Sequence, residues 1–411
     1  MAAACILVDS TAYVDNSTSS NGSTAQALTS NGSLIGVSLW PAHPPIPSRL
    51  SVRLRSDHQD LLCEPTILCT VDSFFVLSVA IGRSPPPQNM TQKMSDYFIY
   101  RAAGSTTGPD NEVGVLPCGG DNFTIAALSQ TVYFNFMLYL FRSEGWHWTS
   151  KKVLVDPPQI PYPMPLPDDG SRHFQHVTNS VITIGGTIGW VDLWHGILLY
   201  DVLRDDDNHD KIRHVPLPVR PGSHGGMALD CCPKPYRSVT AVGDGLKFVE
   251  LEAFGDRLPG KDPETRGPRL RIHGWELTTY TNISITGAPE DWKIDFTVNA
   301  SGIRIDRAMR SALLRCGMLR EAAERNLQNL WTCQPVLSLN DDEGTVVYLI
   351  ARVKFLHPEA WVLAVDMGNN QVRAMAAIDS GRSTDLSLKY FPCRISPLQL
   401  LEWNDYVGEL Y

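Results

Sequence analysis

Residues 186–203 read GTIGWVDLWHGILLYDVL, and whether this stretch coils or pairs decides the fold. As one helix it would carry glycines at 186, 189 and 196, each costing roughly 1 kcal/mol relative to alanine. Its apolar residues would also run all the way round, leaving no polar face. As two strands it is self-consistent. Ile188 and Trp190 fall on one face, DLWHG (192–196) supplies turn residues, and ILLYDV (197–202) returns as a second, mostly buried strand. The stretch therefore predicts a hairpin.

The same grammar recurs along the chain. SLIGVSLW (33–40), SFFVLSVAI (73–81), FTIAALS (123–129), VVYLIARVKF (346–355) and WVLAVDM (361–367) are short runs rich in β-branched and aromatic residues, separated by Gly, Pro, Asn and Asp. Such spacing predicts an all-β sandwich, barrel or propeller rather than βαβ units. Thr131–Phe141 reads as one buried strand interrupted at Asn135. Gly186-Thr187 and Gly344-Thr345 open similar stretches 158 residues apart, close to three kelch-type units of roughly 50, and each is followed by a strand ending in aspartate, Asp201 and Asp366. Gly245 opens a third, 59 residues after Gly186. One segment is helical in period. From Ile305 to Leu330 apolar residues recur at steps of three and four, which predicts an accessory amphipathic helix over 305–330, weakened at Gly317. Residues 1–33 are small and polar over most of their length and read as a low-complexity segment, with the β domain running from 34 to 411. Asp156–Gly170 is rich in proline and reads as an extended connector.

Composition narrows the function. A chain of 411 residues with 43% hydrophobic residues can bury a large core, and a net charge of −9 offers no global field for nucleic acid or an anionic membrane. The cluster Arg266, Arg269, Arg271 and His273 is a local exception, read as a solvated loop running into a strand. Nine cysteines with no C-x-x-C pair predict free, buried thiols rather than a disulfide framework or zinc cluster. No basic and apolar secretory leader is legible, so a cytoplasmic or nuclear location is expected. No apolar run approaches the ~18 residues of a membrane helix.

Chemical motifs are weak. The glycines at 185, 186 and 189 do not form a dinucleotide cradle, and PGSHGG (221–226) lacks the lysine and hydroxyl of a phosphate loop. His173 and His176 read as two exposed loop histidines, and DDDNHD (205–210) as a solvated hairpin tip. Asp192 with Asp201 or Asp366 is the one pairing suggestive of a glycosidase, and Trp190, Trp194 and Trp361 the one suggestive of sugar stacking. Structural roles account for both: carboxylates accepting turn amides, and aromatics in a core formed by Trp190, Trp194, Ile197, Leu199, Phe248 and Trp361. No catalytic, cofactor-binding or metal-ligating residue is expected.

GGTIGWVDLWHGILLYDVL, then IRHVPLP, RSVTAVGDGLKFVELE, WELTTYT and NLWTCQPVLSLNDDEGTVVYLIARV, occur in an order that resembles domain of unknown function 1618, a family expanded in grasses. The likeness runs from about Leu34 to the C-terminus and is strongest from Gly185 to Asp366. The resemblance implies a β-propeller-like domain similar to F-box-associated and kelch-like hairpin repeats. Its structural signature comprises Gly186, Trp190, Asp192, Trp194, Gly196, Asp201, Gly245 and Asp366. It brings no activity or cofactor, and the N-terminal region shows no F-box-like helical pattern. A non-catalytic intracellular module that binds unknown protein partners is the expectation, without nucleic-acid or membrane partners. A small-molecule or glycan-binding propeller and a carbohydrate-active hydrolase are the alternatives.

Overall fold

The computed structural model describes residues 4–15, 20–55, 60–71, 74–82, 95–101, 104–107, 113–119, 122–132, 135–155, 176–204, 210–218, 232–319, 327–339, 346–378 and 390–395. The connector at 156–170, His173, residues 205–209, 221–226 and the pair Gly344-Thr345 lie outside these residues.

The chain opens with β1 (Ala4–Asp9), β2 (Tyr13–Val14), β3 (Ala25–Leu28), β4 (Leu34–Trp40) and β5 (Arg49–Arg55). A second group is β6 (Asp60–Leu61), β7 (Thr66–Val71), β8 (Phe74–Gly82), β9 (Ser95–Arg101) and β10 (Gly104–Thr107). Four-stranded meanders follow. The first is β11 (Val113–Pro117), β12 (Phe123–Val132), β13 (Asn135–Arg142) and β14 (His147–Val155); the next is β15 (Ser180–Ile184), β16 (Thr187–Asp192), β17 (Gly196–Asp201) and β18 (Lys211–Pro216). Then come β19 (Arg237–Val242), β20 (Gly245–Lys261), β21 (Pro268–Asn282) and β22 (Lys293–Asn299), and after the helix α1 (Arg307–Arg315) β23 (Trp331–Leu337), β24 (Val346–Arg352), β25 (Trp361–Asp366) and β26 (Gln371–Ala377). The last described strand, β27 (Tyr390–Ile395), pairs antiparallel with β1, from Ala4↔Ile395 to Asp9↔Tyr390.

These groups are six blades of one ring. The innermost strands β7, β11, β15, β19, β23 and β27 contact one another in that cyclic order, and β27 closes back on β7. Blade 1 is composite: β27 and β1 lie beside β5, which β1 meets in parallel through the Ser48 amide donating to the Leu7 carbonyl at 2.6 Å, and β4 and β3 follow outward. Blades 3 and 4 also join at their outer strands, where β14 and β18 pair in parallel over two residues.

Six apolar clusters fill the spaces between consecutive blades, which explains why the strands read as nearly continuous apolar runs. In β16 and β17, Ile188, Trp190, Leu198 and Tyr200 pack toward blade 3, while Val191, Ile197 and Leu199 pack toward blade 5. A strand with a neighbour on each face has no solvent side to mark with polar residues. In β1, Ile6 and Val8 enter the blade 1–2 layer, and Leu7 enters the layer against blade 6. At roughly 25 cal/mol per Å² of apolar surface, each such side chain contributes about 1.5–3 kcal/mol.

The structure corrects several expectations. The boundary at residue 34 does not hold, because β1 to β3 belong to blade 1 and Leu7 and Val8 are fully buried. Thr131–Phe141 is not one strand: it spans the end of β12 and most of β13, with Val132 paired to Asn135. The spacing of 158 residues corresponds to two blades rather than three, since Thr187 and Val346 open the second strands of blades 4 and 6. The long β20 and β21, of 17 and 15 residues, and the inserted helix lengthen the interval. The helix covers only Arg307–Arg315. Asp306 caps it by accepting the Met309 amide at 2.7 Å, and Gly317, at φ +74°, ends it as the Leu319 amide returns to the Leu313 carbonyl. Residues 320–326 lie outside the described set.

Because β1 is the joint, Leu7→Asp places an unpaired carboxylate in a dry layer and is expected to lower stability by about 3–5 kcal/mol. A chain lacking residues 1–9 is expected to lose its cooperative thermal transition, read by circular dichroism. A truncated chain that melts like the intact one would show that the ring closes without this strand.

Candidate functional site

The hairpin that decides the fold also carries the densest polar geometry. Asp192 ends β16 at 1% exposure. Its Oδ1 accepts the amides of Trp194 at 2.8 Å and His195 at 3.2 Å, and its Oδ2 accepts the amide of Val177 at 2.9 Å and faces His195 Nδ1 at 2.9 Å. Asn179 accepts the Leu193 amide at 2.8 Å. Burial opposes ionisation of Asp192, but the hydrogen bonds from His195, Val177 and Trp194 outweigh it and hold the carboxyl below its usual range. Gly196 is obligatory: at φ +152° a Cβ would lie 2.5 Å from His214 Nε2 and 2.6 Å from the Val215 carbonyl oxygen.

Two more histidines share this environment. His176 and His214 are lowered to about 4, first by burial, with the neighbouring Asp192 pulling the other way and His195 adding to the depression. His176 is therefore buried rather than an exposed loop residue, and its ring meets Phe136 edge-on with centroids 6.4 Å apart. Among the described residues, no group of three or more His, Cys, Asp or Glu side chains is arranged to hold a metal ion.

Arg237 ties this hairpin to blade 5. It opens β19 at 3% exposure, its Nη1 donates to the Leu193 carbonyl at 3.1 Å, and its Nε and Nη2 donate to Glu250 Oε1 at 3.0 and 2.7 Å. The guanidinium lies 4.6 Å from the centroid of Trp194. Trp194 is thus half-buried under a cation rather than part of the apolar core, in contrast to Trp190, Ile197, Leu199, Phe248 and Trp361, which are buried.

The remaining signature residues are structural and dispersed. Gly185 and Gly186 form the β15–β16 turn, and Gly245 closes the β19–β20 turn, where a Cβ would lie 3.2 Å from the Asn282 carbonyl oxygen. Asp201 and Asp366 end the third strands of blades 4 and 6 and each accepts the amide three residues on, from Arg204 at 3.2 Å and Asn369 at 2.9 Å. Asp366 also holds Arg373 Nε at 2.7 Å and Nη2 at 2.6 Å.

On the ring axis, by contrast, all six innermost strands line a cavity of about 450 Å³. Among the described residues that line it none is Asp or Glu; Lys234 and Arg237 are the cations there, beside Asn179, Ser238, Thr240 and apolar side chains such as Val181 and Val239. Neither Asp192, Asp201 nor Asp366 reaches it. Arg237 and Asn179 were not legible in the sequence, because the first acts across two blades and the second on a turn fourteen residues away.

On the outer surface, β20 and β21 run past their neighbours β19 and β22 as a two-stranded ribbon. Arg269, Arg271 and His273 are exposed on it, with Leu258 opposite Arg269 and Asp256 opposite Arg271. The cluster expected to be a loop running into a strand is therefore mostly strand.

Two measurements test the polar hairpin. Asp192→Ala strands three amides and is expected to cost about 2–4 kcal/mol, read by urea unfolding. The depressed histidines act through protonation of the unfolded chain. Each binds a proton there near pH 6.5 but not in the fold until about 4, so stability falls as pH drops through this window. A thermal midpoint independent of pH between 7 and 4.5, or an unchanged slope in His176→Phe, would contradict that burial.

Structural comparison finds solved chains with low overall superposition. The WD40 domain of SCAP from fission yeast matches at 10% identity and TM-score 0.29, over 92% of this chain and 89% of that chain. Apo AztD from Citrobacter koseri matches at 9% identity and TM-score 0.32, over 94% and 97%, and uncharacterized protein lmo1340 from Listeria monocytogenes EGD-e at 9% and 0.28, over 79% and 84%. No curated protein matches the chain. Residues 190–348, from β16 through blade 5 to β24, match the model of the family described as protein of unknown function (DUF1618).

Proposed function

We propose that the protein is a non-catalytic protein-interaction module acting in the cytoplasm or nucleus. The observation that carries this reading is the disposition of its charged groups. The three aspartates at strand ends are engaged by amides and cations of the fold, whereas the arginines of the ribbon face outward. Neither the Arg269 nor the Arg271 guanidinium has an ion-pair or hydrogen-bond partner among the described residues. An exposed sheet face with two free guanidinium groups and the apolar Leu258 opposite Arg269 fits an acidic segment of a partner protein. The ribbon is held rigidly: Ile272 packs into the blade 6 layer, and Lys354 bridges Asp262 at 2.8 Å and Glu264 at 2.6 Å in its connecting loop. Pre-ordering of this kind reduces the entropy lost on binding. All eight described cysteines are thiols, which supports a reducing compartment.

The double substitution Arg269→Glu, Arg271→Glu leaves the buried layers untouched, so its melting temperature is expected to stay within a few degrees of the parent. Affinity capture from extracts of the source cells is expected to return a reproducible partner that the double variant loses, and the purified partner to bind the parent at least tenfold more tightly. Glycan turnover by the parent chain that disappears in Asp201→Asn, a half-exposed position, would instead establish the hydrolase alternative.

A further inference from the structure

The axial cavity is independent of the ribbon and of the reading built on it. We propose that it is a binding site for a small organic anion: an oxyanion group, carboxylate or sulfonate, attached to an apolar body. Its volume of about 450 Å³ lies within the range of small-molecule sites. Its walls come from every blade, so the pocket exists only in the closed ring.

Charge selects the class of ligand. In a chain of net charge −9, a cavity whose described lining holds two cations and no carboxylate is a local reversal of sign. Arg237 is already neutralised by Glu250, which accepts two of its N–H groups. Lys234 is not: it is half-buried, and it makes no ion pair or hydrogen bond with any described residue. An ammonium partly withdrawn from water favours an anion beside it. Two neutral donors converge on the same space. Thr240 is 9% exposed, and its hydroxyl has no partner among the described residues. Asn179 is fixed by accepting the Leu193 amide through its oxygen, which leaves its NH₂ without an acceptor there. A bound water would satisfy a hydroxyl or an amide but would not neutralise an ammonium. The apolar part of the wall, Leu116, Val181, Val239 and Val336, gains nothing from a bare inorganic ion and matches a hydrocarbon or aromatic body.

The test uses the intact chain and a pair of probes alike in body but different in charge: 8-anilinonaphthalene-1-sulfonate and uncharged N-phenyl-1-naphthylamine. The sulfonate is expected to bind with a stoichiometry of one, with enhanced fluorescence. Lys234→Glu, a half-buried position outside the apolar layers, is expected to weaken it at least tenfold while changing the uncharged probe less than twofold; Thr240→Val is expected to weaken it severalfold. Benzoate is expected to displace the sulfonate and inorganic phosphate to leave it in place. Binding that both variants leave unchanged, or equal sensitivity of the two probes to Lys234→Glu, would overturn the proposal. Displacement by phosphate as effective as by benzoate would overturn the apolar half of it. The ribbon variant Arg269→Glu, Arg271→Glu is expected to bind the sulfonate normally, so failure of the cavity and failure of the interaction surface are read separately.

Discussion

The structure depends on one joint, the antiparallel pairing of β1 with β27. A ring of sheets packed face to face has no natural end: each blade needs a neighbour on both sides to bury its apolar faces, and an open ring would leave two of them in water. The chain meets this by giving its first residues to the blade that its last described strand begins. Ile6 and Val8 then serve one interblade layer and Leu7 the next, so a single six-residue strand seals two of the six layers. Closure also brings the six innermost strands around the axis, and so the cavity is a consequence of the same joint.

The parts legible in the sequence are those whose cause is local. In residues 186–203, Gly186 and the run DLWHG that ends at Gly196 specify strand, turn and strand within eighteen residues, and the structure places β16 and β17 there. The wrong boundaries arise where the cause is distant. ACILVD at β1 is an ordinary apolar run beside a polar stretch, and only its pairing with residues almost four hundred positions later makes it part of a blade. Likewise the apolar period from Ile305 to Leu330 is real as a pattern of burial, with Leu313, Leu319, Leu327 and Leu330 all in the blade 5–6 layer. Past Gly317, though, that pattern no longer coincides with the described helix, because a left-handed glycine turns the chain while the side chains still find the same core.

The site divides in the same way. That Asp192 serves its own turn follows from its position one residue before LWHG, since an aspartate readily accepts amides two and three residues ahead. The burial of His176 and the half-exposure of Trp194 were not readable, because each is set by a residue from another strand or blade: Phe136 for the histidine, Arg237 for the tryptophan. Composition placed both arginines and histidines in exposed loops by default. Here one arginine, joined to Glu250, became the buried tie between blades 4 and 5.

Repetition itself bears on the carboxylates. Asp192, Asp201 and Asp366 each accept the amide three residues on, and Asp262 does the same with Thr265 at the tip of the ribbon. A device that recurs at turn after turn, in whichever blade the chain reverses, answers a requirement of chain reversal. General acid and base catalysis makes the opposite demand: two carboxyls converging on one point, with environments that drive their affinities for protons apart. Dispersed around a ring, with their oxygens committed to separate turns, these aspartates do not converge. The axis is where side chains from different blades do meet, and among the described residues cationic, amide and hydroxyl groups meet there on a largely apolar wall. Such a wall suits the anion proposed for the cavity, and the aspartates at the strand ends stand apart from it.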